Sequence, residues 1–99
     1  MYLNTLLNIE KDFYGYLKRD YGLSRTDIFI IMTSGRYDNM TAYSLASMTG
    51  FDRSLITKRL RYLEEKEFII REDHLGKKII NLKEKASIVN RVLEKITLN

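Results

Sequence analysis

The chain has 99 residues, 44% hydrophobic and 30% charged, with no Cys, Pro or Trp and a formal net charge of +4. This length suits one domain, residues 1–99, and the lack of cysteine excludes disulfides, thiolate metal sites and thiol redox sensing. No apolar run reaches the roughly 20 residues that span a bilayer, and the N-terminus lacks a basic signal region, so a cytoplasmic protein is expected.

The first predicted helix covers residues 3–21 and carries two apolar stripes at three-to-four spacing. One stripe consists of Leu6, Ile9, Phe13 and Leu17, and the adjacent one of Leu3, Leu7, Tyr14 and Tyr21. Because two stripes need two covering surfaces, one of these surfaces is expected to be another chain. Gly22 is suited to ending the helix.

A second, short helix is predicted to open with a capping box between Ser24 and Asp27 and to run to Thr33. Ile28, Ile31 and Met32 are expected in the core, and residues 34–39 are expected to form a turn.

Thr41 is the predicted cap of a third helix over residues 42–49, which Gly50 ends. Its inward-facing residues are expected to be Ala42, Leu45 and Ala46, with Met48 as a further candidate. Asp52 caps a fourth helix over residues 53–67, whose buried line is Ile56, Leu60 and Leu63.

The hydrophobic period then changes. Residues 68–73 and 77–82 are rich in β-forming residues and flank His74-Leu75-Gly76, which predicts a hairpin. A last helix is predicted over residues 84–98, and its apolar residues are Ile88, Val89, Val92, Leu93 and Ile96.

Most of the excess positive charge lies in two blocks. Residues 1–40 hold five basic and five acidic side chains, whereas residues 53–61 hold four basic and no acidic ones. Residues 64–73 carry a net charge of −3, and residues 74–83 add three lysines without an acid. Patterned charge of this kind is typical of a nucleic-acid footprint.

The third and fourth helices, joined through residues 50–52, are a candidate helix-turn-helix whose second helix is basic. Its face opposite the buried line presents Arg53, Ser54, Thr57, Lys58 and Arg61. A stripe of this composition fits a major groove, where Arg or Lys binds guanine and hydroxyls bind bases or phosphates. In a winged helix, Lys77 and Lys78 of the hairpin would reach the flanking phosphates or the minor groove.

Residues 23–86 resemble the winged-helix core of the multiple-antibiotic-resistance regulators (MarR) and their SarA-like relatives. The resemblance lies in MTAYSLASMTGFDRSLITKRLRYLEEKEFIIRE and in NLKEKA, which ends the wing. It implies a homodimeric bacterial transcription regulator with interleaved terminal helices, and DNA roles for Arg53, Ser54, Thr57 and Lys58. Two departures are visible: the hairpin lacks the family's Asp-x-Arg motif near its tip, and one helix follows it where many members have two.

Other functions find little support. His74 is the only histidine and is expected to be an exposed turn residue, so neither a metal site nor a cofactor is predicted. A phosphate-binding glycine loop and a Ser/His/Asp set are both missing, so the chain is predicted not to be an enzyme. Most tyrosines are expected to pack at interfaces, while Tyr37 and Tyr43 are additional candidates for the DNA backbone.

The predicted fold class is therefore α+β and mostly helical: a winged helix-turn-helix with terminal dimerisation helices. Residues 24–83 form the DNA-binding core, and residues 3–21 and 84–98 form the dimer. The predicted function is that of a homodimeric regulator, most simply a repressor, that binds double-stranded DNA at a palindromic operator. No membrane partner is expected; a small-molecule effector remains an open alternative that no residue pattern supports. The alternatives are a winged-helix protein-interaction module and a plasmid or phage adaptor for DNA segregation or replication.

Overall fold

The computed structural model describes the backbone of residues 11–98 and the side chains of residues 13–96. The elements in chain order are α1 (Lys11–Tyr21), α2 (Arg25–Arg36), α3 (Ala42–Thr49), α4 (Arg53–Glu65), β1 (Ile69–His74), β2 (Lys77–Leu82) and α5 (Glu84–Leu98). This order of helices and hairpin confirms the prediction. The predicted helical residues 3–10 lie outside the described part of the chain.

The helix starts follow the predicted capping chemistry. Ser24 and Asp27 satisfy each other's backbone N–H groups in a capping box, and Thr41 and Ser44 do the same at α3. Gly50 ends α3 with φ +78°, a left-handed conformation that glycine adopts without strain. The tight link between α3 and α4 is thereby set by local sequence.

The predicted turn over residues 34–39 begins too early, because α2 continues to Arg36. Gly35 lies inside the helix, where a Cβ would collide with the buried side-chain amide of Asn90 on α5. The glycine at this position therefore allows close helix–helix packing instead of ending the helix.

The core forms around α2, whose residues 27–33 are all buried. The predicted core residues Ile28, Ile31, Met32, Leu45, Ile56, Leu60 and Leu63 are confirmed as buried. The expectation for Met48 is wrong: it is 39% exposed, and in the eight-residue α3 only Leu45 is fully buried.

The wing is an antiparallel hairpin that pairs Ile69 with Leu82 at its base and His74 with Lys77 at its tip. The amide of Ile80 donates to the carbonyl of Met40 at 2.9 Å, just before α3. This bond ties the wing to the residue that precedes the cap of α3, at the start of the helix-turn-helix.

The last helix presents two faces. Val89 and Leu93 are buried in the core of the chain, whereas Ile88, Val92 and Ile96 are 44%, 44% and 43% exposed. Residues 84–98 were expected to form part of the dimer, but Leu93 within this helix is buried against the chain's own core. The exposed residues Ile88, Val92 and Ile96 are spaced four apart and form a separate apolar stripe.

Candidate nucleic-acid interface

Helix α4 is held with one face in the core and the other in solvent. Ile56, Leu60 and Leu63 are buried on the inner face. At the start of the helix the Asp52 carboxylate accepts hydrogen bonds from the backbone amide and the hydroxyl of Ser54. The bond from the Ser54 hydroxyl lowers the pKa of Asp52, which favours the carboxylate form of this cap.

The structure brings together all five residues predicted on the outer face. They border one shallow depression and are all exposed: Arg53, Ser54, Thr57, Lys58 and Arg61. The two hydroxyls already donate locally, Thr57 to the carbonyl of Arg53 at 3.0 Å and Ser54 to Asp52. Their oxygens are left as acceptors toward solvent, and the three cations supply the donors.

The fourth cation of the basic block, Arg59, has a different position. Its guanidinium donates to both oxygens of the Asp27 carboxylate, at 2.8 and 2.7 Å, and stacks 4.2 Å from the centre of the Tyr62 ring. The hydrogen bonds to Asp27 raise the pKa of Arg59 above its usual value. Arg59 therefore fixes α4 to α2. In the sequence, only the position of Arg59 next to Leu60, at the border of the buried line, indicated that this cation differs from its neighbours.

The wing lysines lie beside the same helix. Lys77 and Lys78 are exposed on β2, and Lys78 forms a loose ion pair with Asp73 at 3.6 Å. Both lysines line a cleft of about 780 Å³ between the wing and the first turns of α3 and α4, where Arg53 also lies. Because Arg53 borders both depressions, the two predicted groups form one continuous surface, called here the basic face.

Two further side chains line this cleft: Tyr43, which was expected as an additional candidate for the DNA backbone, and Arg71, which was not predicted. Tyr43 is 66% exposed, and its ring lies 5.5 Å from the guanidinium of Arg53. Arg71 also lines the cleft but donates to Glu64 at 2.8 Å, and this bond lowers the pKa of Glu64. Tyr37, which is 40% exposed, lies outside the two depressions.

A short helix, a three-residue break, an amphipathic second helix and a hairpin pinned beside it define a winged helix-turn-helix protein. The MarR family model matches residues 23–78, more than half of the chain. The chain therefore belongs to the MarR family. The resemblance noted in the sequence is confirmed.

Solved structures from three different organisms share this fold. A MarR transcriptional regulator from Methanosarcina mazei Go1 is 18% identical with a TM-score of 0.75 over 97% of this chain and 66% of its own. MarR from Oenococcus oeni PSU-1 is 22% identical, with a TM-score of 0.70 over 94% of this chain and 76% of its own. A Mycobacterium tuberculosis MarR family protein in complex with salicylic acid is 12% identical, with a TM-score of 0.65 over 97% and 73%.

At these identities the likeness concerns the fold. The present chain spans about two thirds to three quarters of the length of these proteins. The search of curated proteins gave no match. Within residues 11–98, the helices are too short or too polar to cross a membrane.

Proposed function

We propose that the chain is a sequence-specific regulator of transcription that binds double-stranded DNA through the basic face. One observation carries this proposal. The two depressions that share Arg53 are bordered by five predicted cations, and no acidic side chain is among their described lining residues. A continuous positive surface of this kind complements the phosphate backbone of a duplex.

The outer face of α4 has the dimensions of a major-groove reader. An α-helix with its side chains is about 10–12 Å in diameter and a major groove is about 12 Å wide, so α4 can enter the groove with the stripe from Arg53 to Arg61 facing the bases. Arg53, Lys58 and Arg61 provide donors for the O6 and N7 acceptors of guanine, while Ser54 and Thr57 contribute acceptor oxygens. The lysines of the wing neutralise phosphates on the flank of the half-site.

The active form in this proposal is a homodimer. The exposed stripe of Ile88, Val92 and Ile96 on α5 adjoins a small apolar groove that Tyr16 and Tyr21 of α1 also line. Burying these side chains against a second copy would remove them from water. Two-fold symmetry then implies a palindromic operator with half-sites about 34–36 Å apart, and binding over a promoter represses by occlusion.

A salt titration of DNA binding tests the proposal. The slope of log K against log salt is expected to reach about −9 when all five cations of the basic face neutralise phosphates in each of two protomers, and each cation that contacts only a base makes it shallower by about 2. Removing two of these cations per protomer in the K77A/K78A variant lowers the expected slope to about −5 and weakens binding on all sequences alike.

Lys66→Ala is the matched control, because it removes an exposed cation from the far end of the same helix. We expect its slope to remain near that of the unsubstituted chain. A slope near zero for the unsubstituted chain would contradict DNA binding and favour a protein-interaction module. If the protein protected clustered DNA repeats from cleavage in a footprinting experiment, and not one palindrome, it would be a segregation or replication adaptor.

A further inference from the structure

The tip of the wing is a two-residue turn with an unusual residue in it. The last paired residues are His74 and Lys77, so only Leu75 and Gly76 connect the strands. Both have positive φ, +52° for Leu75 and +79° for Gly76, as the type I′ turn of a tight hairpin requires. Asn-Gly and Asp-Gly are the preferred pairs in this turn, whereas this chain has Leu-Gly.

Leucine is unfavourable at this position for two reasons. Its Cβ makes the left-handed conformation strained, and its side chain is 90% exposed to water. An asparagine would relieve the strain and also be well solvated. Backbone strain that persists on an exposed tip is characteristic of binding sites, where the strained residue contacts a ligand.

The surroundings of Leu75 indicate what that ligand is. Leu75 lines the same cleft as Lys77, Lys78 and Arg53, so it lies on the basic face. No acid is among the described lining residues of this cleft. The cations therefore match the phosphates along the edges of a DNA groove, and the apolar tip matches the sugars in its walls. The minor groove is only about 6 Å wide, so the narrow tip of a two-residue hairpin is the part of the wing that enters it.

We propose that Leu75 is an apolar wedge that enters the minor groove beside each half-site and selects its sequence. This inference rests on the proposed DNA binding. Leucine has no hydrogen-bonding group, so it discriminates by fit and by the ease of unstacking a base step. The guanine 2-amino group projects into the minor groove, and covering it with a leucine leaves a donor unpaired. Flanks without that group are therefore favoured.

The first experiment uses the unsubstituted chain and a duplex that it selects from a random pool. The base pairs next to each half-site are made A·T, G·C or inosine·C, where inosine·C keeps the major-groove pattern of G·C but lacks the 2-amino group. We expect A·T and inosine·C flanks to bind alike and G·C flanks about fivefold more weakly. If the protein bound duplexes with inosine·C flanks as weakly as those with G·C flanks, the proposal that Leu75 acts as a wedge would be wrong.

The second experiment uses Leu75→Asn, with Leu75→Met as a matched apolar control. We expect L75N to raise Tm by about 4 °C because turn strain is relieved, and to bind the selected duplex about tenfold more weakly. Its preference among the three flanks should be lost, whereas L75M should keep both affinity and preference. An L75N variant that keeps the flank preference would refute the proposal.

The two proposals fail in different ways. If the unsubstituted chain selects no duplex, the DNA-binding function fails and the wedge fails with it. If the chain selects a duplex but is indifferent to the 2-amino group, only the wedge is refuted. The inosine comparison requires no substitution, so it decides the question whatever L75N does to folding.

Discussion

Removal of the charge on Asp27 should strongly destabilise the chain. The Asp27 side chain is fully buried, and its carboxylate accepts two bonds from Arg59 and one from the amide of Ser24 at 2.8 Å. Loss of one partner of a buried ion pair costs about 3–5 kcal/mol. Because Arg59 is 26% exposed, water partly compensates its charge, and we expect about 3 kcal/mol for Asp27→Asn.

This loss is large for a domain of this size. A typical free energy of unfolding is about 5–15 kcal/mol, and a loss of about 3 kcal/mol lowers Tm by about 15 °C. The assay is urea and thermal unfolding followed by circular dichroism, in a double-mutant cycle with Arg59→Met. R59M keeps much of the apolar stem but leaves the carboxylate buried without a cation. The coupling energy between the two positions should exceed about 1.5 kcal/mol.

The Lys78–Asp73 pair provides a control of the same charge type. Its side chains are 64% and 74% exposed, so the corresponding cycle should give a coupling below about 0.5 kcal/mol. If D27N and R59M each changed stability by less than about 0.5 kcal/mol, the assignment of this pair as the link between α2 and α4 would be wrong.

Three further predictions concern binding, assembly and pH. Arg53→Ala should weaken specific binding by about 1–3 kcal/mol and spare nonspecific binding; equal losses on all sequences in filter-binding titrations would assign Arg53 to phosphates. Val92→Asp should give monomers in sedimentation. Because Val92 is exposed on the chain, its far-ultraviolet circular dichroism spectrum should not change. An unaltered dimer would show that the dimer interface does not include Val92. Glu64 has a lowered pKa, so its ion pair stabilises the fold above the unfolded pKa of about 4.3 and is lost as pH falls through the folded pKa. Glu64→Gln should therefore cost stability near neutral pH and lose that difference in acid unfolding curves, and a constant difference down to pH 2 would contradict this.

The sequence predicted those parts of the fold that depend on neighbouring residues. The capping box at Ser24, the Thr41 cap and the terminal Gly50 are local signals, and each is found where it was expected, with Ser44 completing a second capping box at Thr41. The extension of α2 beyond Thr33 could not be predicted in this way, because the role of Gly35 depends on Asn90, which lies 55 positions later in the chain.

The division of α5 into two faces could not be predicted from neighbouring residues either. The sequence shows one broad apolar band, and only packing shows that Leu93 belongs to the core while Val92 does not. A charged substitution at Leu93 would therefore test folding, not assembly. The exposed stripe that contains Val92 is the appropriate target for a test of dimerisation.

The structure was also needed to tell which cations of the two basic blocks lie on the basic face and which pair with acids elsewhere. The two blocks hold seven cations, of which Arg59 is paired with the buried Asp27 and Lys83 with Glu67 at 3.4 Å. The other five border the two depressions of the basic face, and among them Lys78 also forms a loose, exposed ion pair with Asp73: Arg53, Lys58, Arg61, Lys77 and Lys78. Arg53 alone lies in both depressions. A base contact by α4 and a phosphate contact by the wing would meet at this residue, so its loss should affect both specificity and the position of the wing more than loss of either lysine.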